Sequence, residues 1–402
     1  MSRSVLIVTL PPDRGGVPEK ARILSNFLRE SGNDVTVAHY ATLSGNRDLV
    51  VPSWTLIRGN SPGVFQTSCF TDFPCIAVGC YLPELEFTYY LPTGRWRELL
   101  ARFDRHIVVS GTVLTGYTLA TLGLPHMVWC ASTMIDDRVD RRRAMSFPRG
   151  LFDRMIPGPV QRKMERRVLS GPGIFMTVSS YARNTLIEAG MDPERSTVVP
   201  VPVDHEVFRP PASPPETGRI GFAGRAEDPR KNLPLLLRAL KILRDRGEGI
   251  ALSVTGDPNG GLMKIAIDLG VDKYVTWTGW LSDGELPEFY QSLDVFVFPS
   301  GKEGLGISGI QAMASGVPVV STRCGGPEDY VIPDRTGVLV DADENEMANA
   351  ISAIVSSRNR RHRMGEEARS LMLDRYAIAR FQKDVSKIWR HTWGDDLHNA
   401  RD

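Results

Sequence analysis

Residues 294–321 read DVFVFPSGKEGLGISGIQAMASGVPVVS. From Asp294 to Pro299 the apolar residues run without alternation, the mark of a strand buried on both faces of a parallel sheet. A glycine-rich loop follows, then a helical segment, then a second apolar run from Val317 to Ser321. Strand, loop, helix and strand in this order predict a parallel sheet with its loops at the carboxyl edge. The pattern extends on both sides. Arg219–Ala223, Ala251–Thr255, Tyr274–Thr278 and Gly337–Val340 read as further strands. Asn232 is placed to cap a helix whose stripe runs through Leu236, Leu240 and Leu243. Ser282-Asp283-Gly284-Glu285 reads as a capping box opening the helix to Leu293, and Asn345–Ser356 as the last helix of the domain.

The first forty residues repeat this logic. Val5–Thr9 is a buried strand, Pro11–Gly16 a turn, and Pro18 suits the first turn of a helix striped by Ala21, Leu24 and Leu28 and stopped by Gly32. Asp34–Ala38 is the next strand, and the pattern resumes at Ile107–Val109 and His126–Cys130. Residues 50–100, rich in Pro, Gly, Cys and aromatics, receive no assignment. Between Val198 and Gly218 the chain packs in Pro200, Pro202, Pro210, Pro211, Pro214 and Pro215, which resist helix and read as an inter-domain connection. The expected class is α/β: a Rossmann-like domain over 1–202 and a second over 203–377, both facing a central cleft, followed by a C-terminal segment over 378–402.

Composition sets the outer bounds. At 402 residues, two domains of ordinary globular composition are expected. Lys and Arg total 48 against 47 Asp and Glu, a net charge of +1, so no nucleic-acid partner is expected. No apolar run approaches a membrane span, and the N-terminal apolar stretch meets Pro11-Pro12 before a signal core forms, so a cytoplasmic chain is expected. Cys69, Cys75, Cys80, Cys130 and Cys324 contain no C-x-x-C pair and read as small apolar residues in a reducing compartment.

The chemistry concentrates in two strand-to-helix loops. Gly224-Arg225-Ala226-Glu227-Asp228-Pro229-Arg230-Lys231 brings Arg225, Arg230 and Lys231 to the carboxyl edge of the sheet, which suits a diphosphate. In the second loop Gly301, Gly304 and Gly306 surround Glu303, a carboxylate able to accept from hydroxyls, and the following helix offers amide donors to an anion. Gly15 and Gly16 offer further amides from the first domain.

A Gly-Gly turn, a Pro-rich linker, G-R-x-x-x-P-R-K, then E-G-x-G-x-x-x-x-[EQ]-A-M-A-x-G-V-P-V-V resembles the retaining glycosyltransferases of family four, which have the GT-B fold. The loop Gly224–Lys231 is most similar to the bacterial phosphatidylinositol mannosyltransferase branch. The resemblance implies that Arg225 and Lys231 bind the donor diphosphate, that Glu303 binds the donor sugar, that Gly304, Leu305, Gly306 and Ile307 hold sugar and phosphate through their amides, and that a C-terminal helix within 378–402 crosses back to the first domain. It implies a retaining, metal-independent transfer from a nucleotide sugar, UDP-linked on family frequency, to an unidentified small-molecule, glycan or lipid-linked acceptor. No H-x-H argues for a metal, and no metal or other cofactor is expected.

Two positions depart from the family pattern. Gln311 stands where a second glutamate usually meets the ribose, and an amide can still donate to and accept from a hydroxyl. Ala131 stands where many relatives place a histidine, leaving Ser132, Thr133, Asp136 and Asp137 as acceptor-side candidates or as loop and cap residues. Between Arg138 and Arg167 there are ten Lys or Arg and three Asp or Glu, a local excess of 10 − 3 = +7 that suits an anionic membrane or a solvated face. The rival readings are an inactive GT-B scaffold and a nucleotide-sugar epimerase. A dinucleotide oxidoreductase lacks its G-x-G-x-x-G loop.

Overall fold

The computed structural model describes residues 3–397 apart from 12–14, 71, 137, 139–144, 214–217 and 259. The chain forms two compact units, residues 1–199 with 382–402, and residues 200–381. The Val199 amide donates to the Thr177 carbonyl in the first, and the Val203 amide to the Tyr376 carbonyl in the second.

The first unit carries an eight-stranded sheet. In chain order its elements are β1 (Ser4–Thr9), α1 (Gly16–Glu30), β2 (Asp34–Tyr40), β3 (Val64–Cys69), β4 (Phe73–Val78), α2 (Gly94–Leu100), β5 (Arg105–Val109), α3 (Tyr117–Leu122), β6 (His126–Cys130), α4 (Phe147–Met155), α5 (Pro157–Leu169), β7 (Gly173–Thr177), α6 (Ser180–Glu188) and β8 (Ser196–Val198). The strand order is β3-β4-β2-β1-β5-β6-β7-β8. Seven strands are parallel neighbours, and β3 alone pairs antiparallel, with β4. The purely parallel expectation fails there because residues 64–78 turn back as a hairpin at the sheet edge. Five of the six residues of β3 are exposed, so no apolar run announces the strand. β1 and β5 are central, and Val5, Leu6, Ile7, Ile107, Val108 and Val109 are fully buried.

The second unit carries β9 (Arg219–Phe222), α7 (Leu233–Asp245), β10 (Ala251–Thr255), α8 (Gly260–Asp268), β11 (Val275–Gly279), α9 (Leu286–Gln291), β12 (Val295–Phe298), α10 (Ile307–Ala314), β13 (Val319–Thr322), β14 (Gly337–Val340), α11 (Glu344–Val355) and α12 (Arg358–Arg375). A last helix, α13 (Ile378–Trp393), begins in this unit and ends in the first. The sheet order is β11-β10-β9-β12-β13-β14, all parallel. Leu233, Leu236, Leu237, Leu240 and Leu243 on α7 pack into one core with the apolar strand residues and with Met347, Ile351 and Ile354 of α11.

Three local expectations are corrected. Asn232 precedes α7 but makes no side-chain cap; it sits left-handed at φ 48°, and the side chain that caps is Asp228, which accepts from the Arg230 amide. The Ser282–Glu285 box forms only in part: Glu285 accepts from the amide and hydroxyl of Ser282, and α9 is confined to Leu286–Gln291. The last helix of the domain is α12. Its charged sequence hides the inward row Met364, Ala368 and Met372, spaced four residues apart.

Candidate functional site

Numbered along the second unit, the strand order is 3-2-1-4-5-6, and it reverses between β9 and β12. Crossovers leave these two strands in opposite directions, so the loops after them part and leave a crevice at the carboxyl ends. The loop after β9 holds Gly224, Arg225, Arg230 and Lys231, and the loop after β12 holds Glu303, Gly304, Leu305 and Gly306.

Each loop is built from its own residues. After β9, Pro229 starts a single helical turn to Lys231, Asp228 caps it, and left-handed Asn232 ends it. The Asp228 carboxylate accepts from Arg230 Nε (3.1 Å) and Nη2 (2.8 Å), and Arg225 Nη2 lies at 3.2 Å. Burial opposes ionisation of Asp228, yet the Arg230 bonds and the neighbouring Arg225 hold its carboxyl below the usual range. Two arginines are thus fixed in place by one acid. Arg225, half exposed, has most of its donors open to solvent.

After β12, the Glu303 amide donates to the Cys324 carbonyl (2.7 Å), and the Gly326 amide donates to the Glu303 carbonyl (2.8 Å). These bonds clamp the Glu303 backbone between β12 and the loop after β13. Gly306, at φ +81°, turns the chain into α10, whose first two amides, those of Ile307 and Ser308, have no intrahelical partners. The two loops are joined directly. The Gly301 amide donates to the Arg230 carbonyl (2.8 Å), Lys231 Nζ donates to Glu303 Oε1 (2.6 Å), and Ser300 Oγ donates to the same oxygen (2.8 Å). Lys231 also lies over the Phe298 ring, 5.5 Å from its centroid.

Gln311 lies on α10, its side-chain oxygen accepting from the hydroxyl of buried Tyr290 at 3.0 Å. Gly15 and Gly16 lie in the first unit, where Gly15 at φ +130° opens α1. Ser132 Oγ donates to the Gly111 carbonyl and so ties its loop to the one after β5, while Thr133 Oγ1 accepts from the Asp136 amide within its own loop. Asp136 is partly buried in the helical turn that follows, and Asp137 lies outside the described residues. Among the described residues no group of three or more His, Cys, Asp or Glu side chains is placed to hold a metal ion.

The sequence reading passed over several residues of these regions. Thr255 Oγ1 accepts from the Gly224 amide (3.1 Å), and Gly256 faces the Gly224 carbonyl so closely that a Cβ would lie 2.4 Å from its oxygen. The TG pair after β10 was the available signal. In the first unit, buried Lys20 donates to the carbonyls of Ser110 (2.8 Å) and Trp129 (3.3 Å), at the ends of β5 and β6. Burial lowers its pKa to about 8, against a smaller raising effect of Cys130. A lysine on a helix reads as solvated, and nothing in the sequence marks this one.

The family model "Glycosyl transferases group 1" matches residues 204–371. The chain carries a group 1 glycosyltransferase domain. It is 32% identical over 260 residues to the GDP-mannose-dependent alpha-(1-6)-phosphatidylinositol monomannoside mannosyltransferase of Mycobacterium tuberculosis (strain ATCC 25618 / H37Rv), covering 59% of this chain and 66% of that relative. It is 29% identical over 401 residues to the MMP alpha-(1->4)-mannosyltransferase of Mycolicibacterium hassiacum, covering 93% of this chain and 96% of the relative. Among solved structures, sucrose-phosphate synthase from Thermosynechococcus elongatus superposes with a TM-score of 0.76 at 19% identity, over 98% of this chain and 100% of that one. The fold of the chain is GT-B. Both loops described above lie within the stretch matched by the group 1 model.

Proposed function

We propose that the chain transfers a sugar from a nucleoside diphosphate to an acceptor hydroxyl with retention at the anomeric carbon and without a metal. The observation that carries this reading is the Lys231–Glu303 pair at the carboxyl ends of β9 and β12. In the working state the cation meets the diphosphate and the carboxylate meets the sugar hydroxyls. As the bond from anomeric carbon to phosphate oxygen breaks, negative charge grows on the leaving diphosphate. Arg225, Lys231 and the amides of Gly304 to Ile307 are arranged to stabilise it. The acceptor oxygen bonds to the same face of the carbon, and its proton passes to the departing phosphate oxygen. Gln311 Nε2 is available to a ribose hydroxyl.

GDP-mannose is the first donor to test, because the relatives at 32% identity are named as GDP-mannose-dependent. A UDP-sugar is the second. The acceptor is a glycan, a small molecule or a lipid-linked hydroxyl such as the phosphatidylinositol monomannoside in those names. The reading places the chain in the cytoplasm, with peripheral contact at the inner face of the membrane.

The test is release of nucleoside diphosphate from a panel of GDP-, UDP-, ADP- and dTDP-sugars, with and without EDTA. The expected result is turnover of one donor class, insensitive to EDTA and lost in Lys231→Ala. Turnover unchanged in Lys231→Ala would overturn the diphosphate assignment, and loss in EDTA restored by added metal would overturn the metal-free mechanism.

A further inference from the structure

The α4–α5 segment is built opposite to an ordinary surface helix. On α4 the apolar residues Phe147, Leu151, Phe152 and Met155 recur at helical spacing and all face solvent, Phe147 at 83% exposure. Exposed Ile156 continues them. The buried residue of α4 is an acid: Asp153 accepts from Arg138 Nε at 3.0 Å and contacts its Nη2 as well. A helix that hides its carboxylate and shows its aromatics has its apolar side toward something other than water.

Charge is sorted in the same way. Between Phe147 and Leu169 the sequence has six cations, Arg149, Arg154, Arg162, Lys163, Arg166 and Arg167, and two acids, Asp153 and Glu165. All six cations are exposed, and both acids are buried. Glu165 accepts from the Met134 amide at 2.7 Å. Among the described residues none of the six cations pairs with a carboxylate. On α5, Arg162, Lys163, Arg166 and Arg167 form one outward face while Met164, Val168 and Leu169 pack inward. The sequence excess is therefore concentrated on the surface: both acids that would offset it in this stretch are spent inside.

We propose that α4 and the outer face of α5 form a docking surface for an anionic lipid bilayer. The apolar row enters the headgroup boundary while the cations meet lipid phosphates. Neither signal suffices alone, since a short apolar face binds a bilayer weakly and cations alone are screened by salt. Together they select a surface that is apolar just below and anionic on top. A protein partner of the same sign pattern would need to supply a matching acidic rim around an apolar pocket, and a second copy of this chain presents the same cations and repels. The inference rests on the peripheral membrane contact in the proposed function and gives it a surface; its test uses neither donor nor acceptor, so it can fail while the transfer reading stands.

The experiment is co-sedimentation of the full chain with vesicles of phosphatidylcholine alone or of equal parts phosphatidylcholine and phosphatidylglycerol, at low and high salt. Binding is expected to the anionic vesicles and to weaken with salt. The variant Arg162→Gln/Lys163→Gln/Arg166→Gln/Arg167→Gln should lose about a thousandfold in affinity, and Phe147→Ser/Met155→Ser about a hundredfold. All six positions are exposed, so both variants should keep the thermal midpoint of the parent, which checks that they fold. Equal binding to neutral vesicles, no binding to anionic ones, or binding indifferent to Phe147→Ser/Met155→Ser would overturn the proposal. So would a dimer in sedimentation that Phe147→Ser/Met155→Ser dissolves.

Discussion

Lys231 Nζ donates to Glu303 Oε1 across 2.6 Å, joining a cation of the loop after β9 to a carboxylate of the loop after β12. Both side chains are largely buried, at 17% and 12% exposure, so neither is stabilised by water alone. Each holds the other where a ligand would need it, the ammonium for phosphate and the carboxylate for hydroxyls.

The first prediction follows from that mutual support. Lys231→Ala should lower kcat/KM for nucleoside diphosphate release by about a hundredfold or more, the size seen when one preorganised donor to a developing anion is lost. It should also lower the melting midpoint of the unliganded chain, because Glu303 is left buried without its cation. Lys231→Ala/Glu303→Gln should recover part of that midpoint but none of the activity. A double variant no more stable than the single would show that the pair contributes nothing to the unliganded fold.

Asp228 separates charge from posture. Its carboxylate positions Arg230 and Arg225 and caps the turn through the Arg230 amide, while its negative charge opposes an arriving diphosphate. Asp228→Asn keeps an oxygen for the cap and removes the charge, so nucleoside diphosphate should bind a few-fold more tightly, worth about 1 kcal/mol. Asp228→Ala removes the cap and releases both arginines, and binding should weaken. Calorimetric titration of both variants checks the opposite signs. The pH dependence follows as well. The folded-state carboxyl titrates below its usual 3.8, so its stabilising effect is present above that value and is lost as pH falls through the folded value. Asp228→Asn should therefore unfold less steeply in acid.

Lys20 gives the reverse slope. Its pKa falls from 10.5 to about 8 on burial, so between these values the unfolded chain binds more protons than the folded one, and stability rises with pH. Below about pH 8 the charged ammonium costs the fold about 3 kcal/mol relative to strongly alkaline solution. The difference in melting midpoint between the parent and Lys20→Met should grow in favour of the parent from pH 8 to 10.5. A difference that stays flat across this range would mean that Lys20 is not titrating in the fold.

The centres of both sheets were legible because strands such as Val5–Val8 and Val295–Phe298 are apolar on every residue, a signal independent of tertiary context, whereas β3, β4, β7 and β8 were not read. The loops after β9 and β12 were legible because glycines and cations gathered at the ends of such strands stand out. What escaped has physical reasons. The exposed edge strand β3 carries no apolar alternation, and the buried row of α12 is diluted by charge. Lys20 and Tyr290 act through buried bonds to Ser110, Trp129 and Gln311, partners distant in sequence. Asn232 has the residue type of a cap but not the backbone angles, and the capping fell to Asp228 two residues before Arg230.

The last prediction isolates the close approach beneath Gly224. A Cβ on Gly256 would lie 2.4 Å from the Gly224 carbonyl oxygen and 3.2 Å from the Ala226 amide nitrogen, and the residue sits at φ +87°. Gly256→Ala therefore incurs backbone strain of about 1 kcal/mol and must also push the Gly224–Arg225 backbone outward, which adds about 1–3 kcal/mol. Gly270 is the control. It has φ +68°, and a Cβ there would meet nothing within 4 Å, so Gly270→Ala carries the strain without the collision. Both variants should melt below the parent, Gly256→Ala further. Only Gly256→Ala should raise the KM for the donor, by about tenfold, because only it displaces the loop that holds Arg225. If the two variants raise KM equally, the approach of the β10 loop to the β9 loop sets stability alone; if only Gly256→Ala does, the Gly224 backbone is part of the donor site and Gly256 is what lets it lie there.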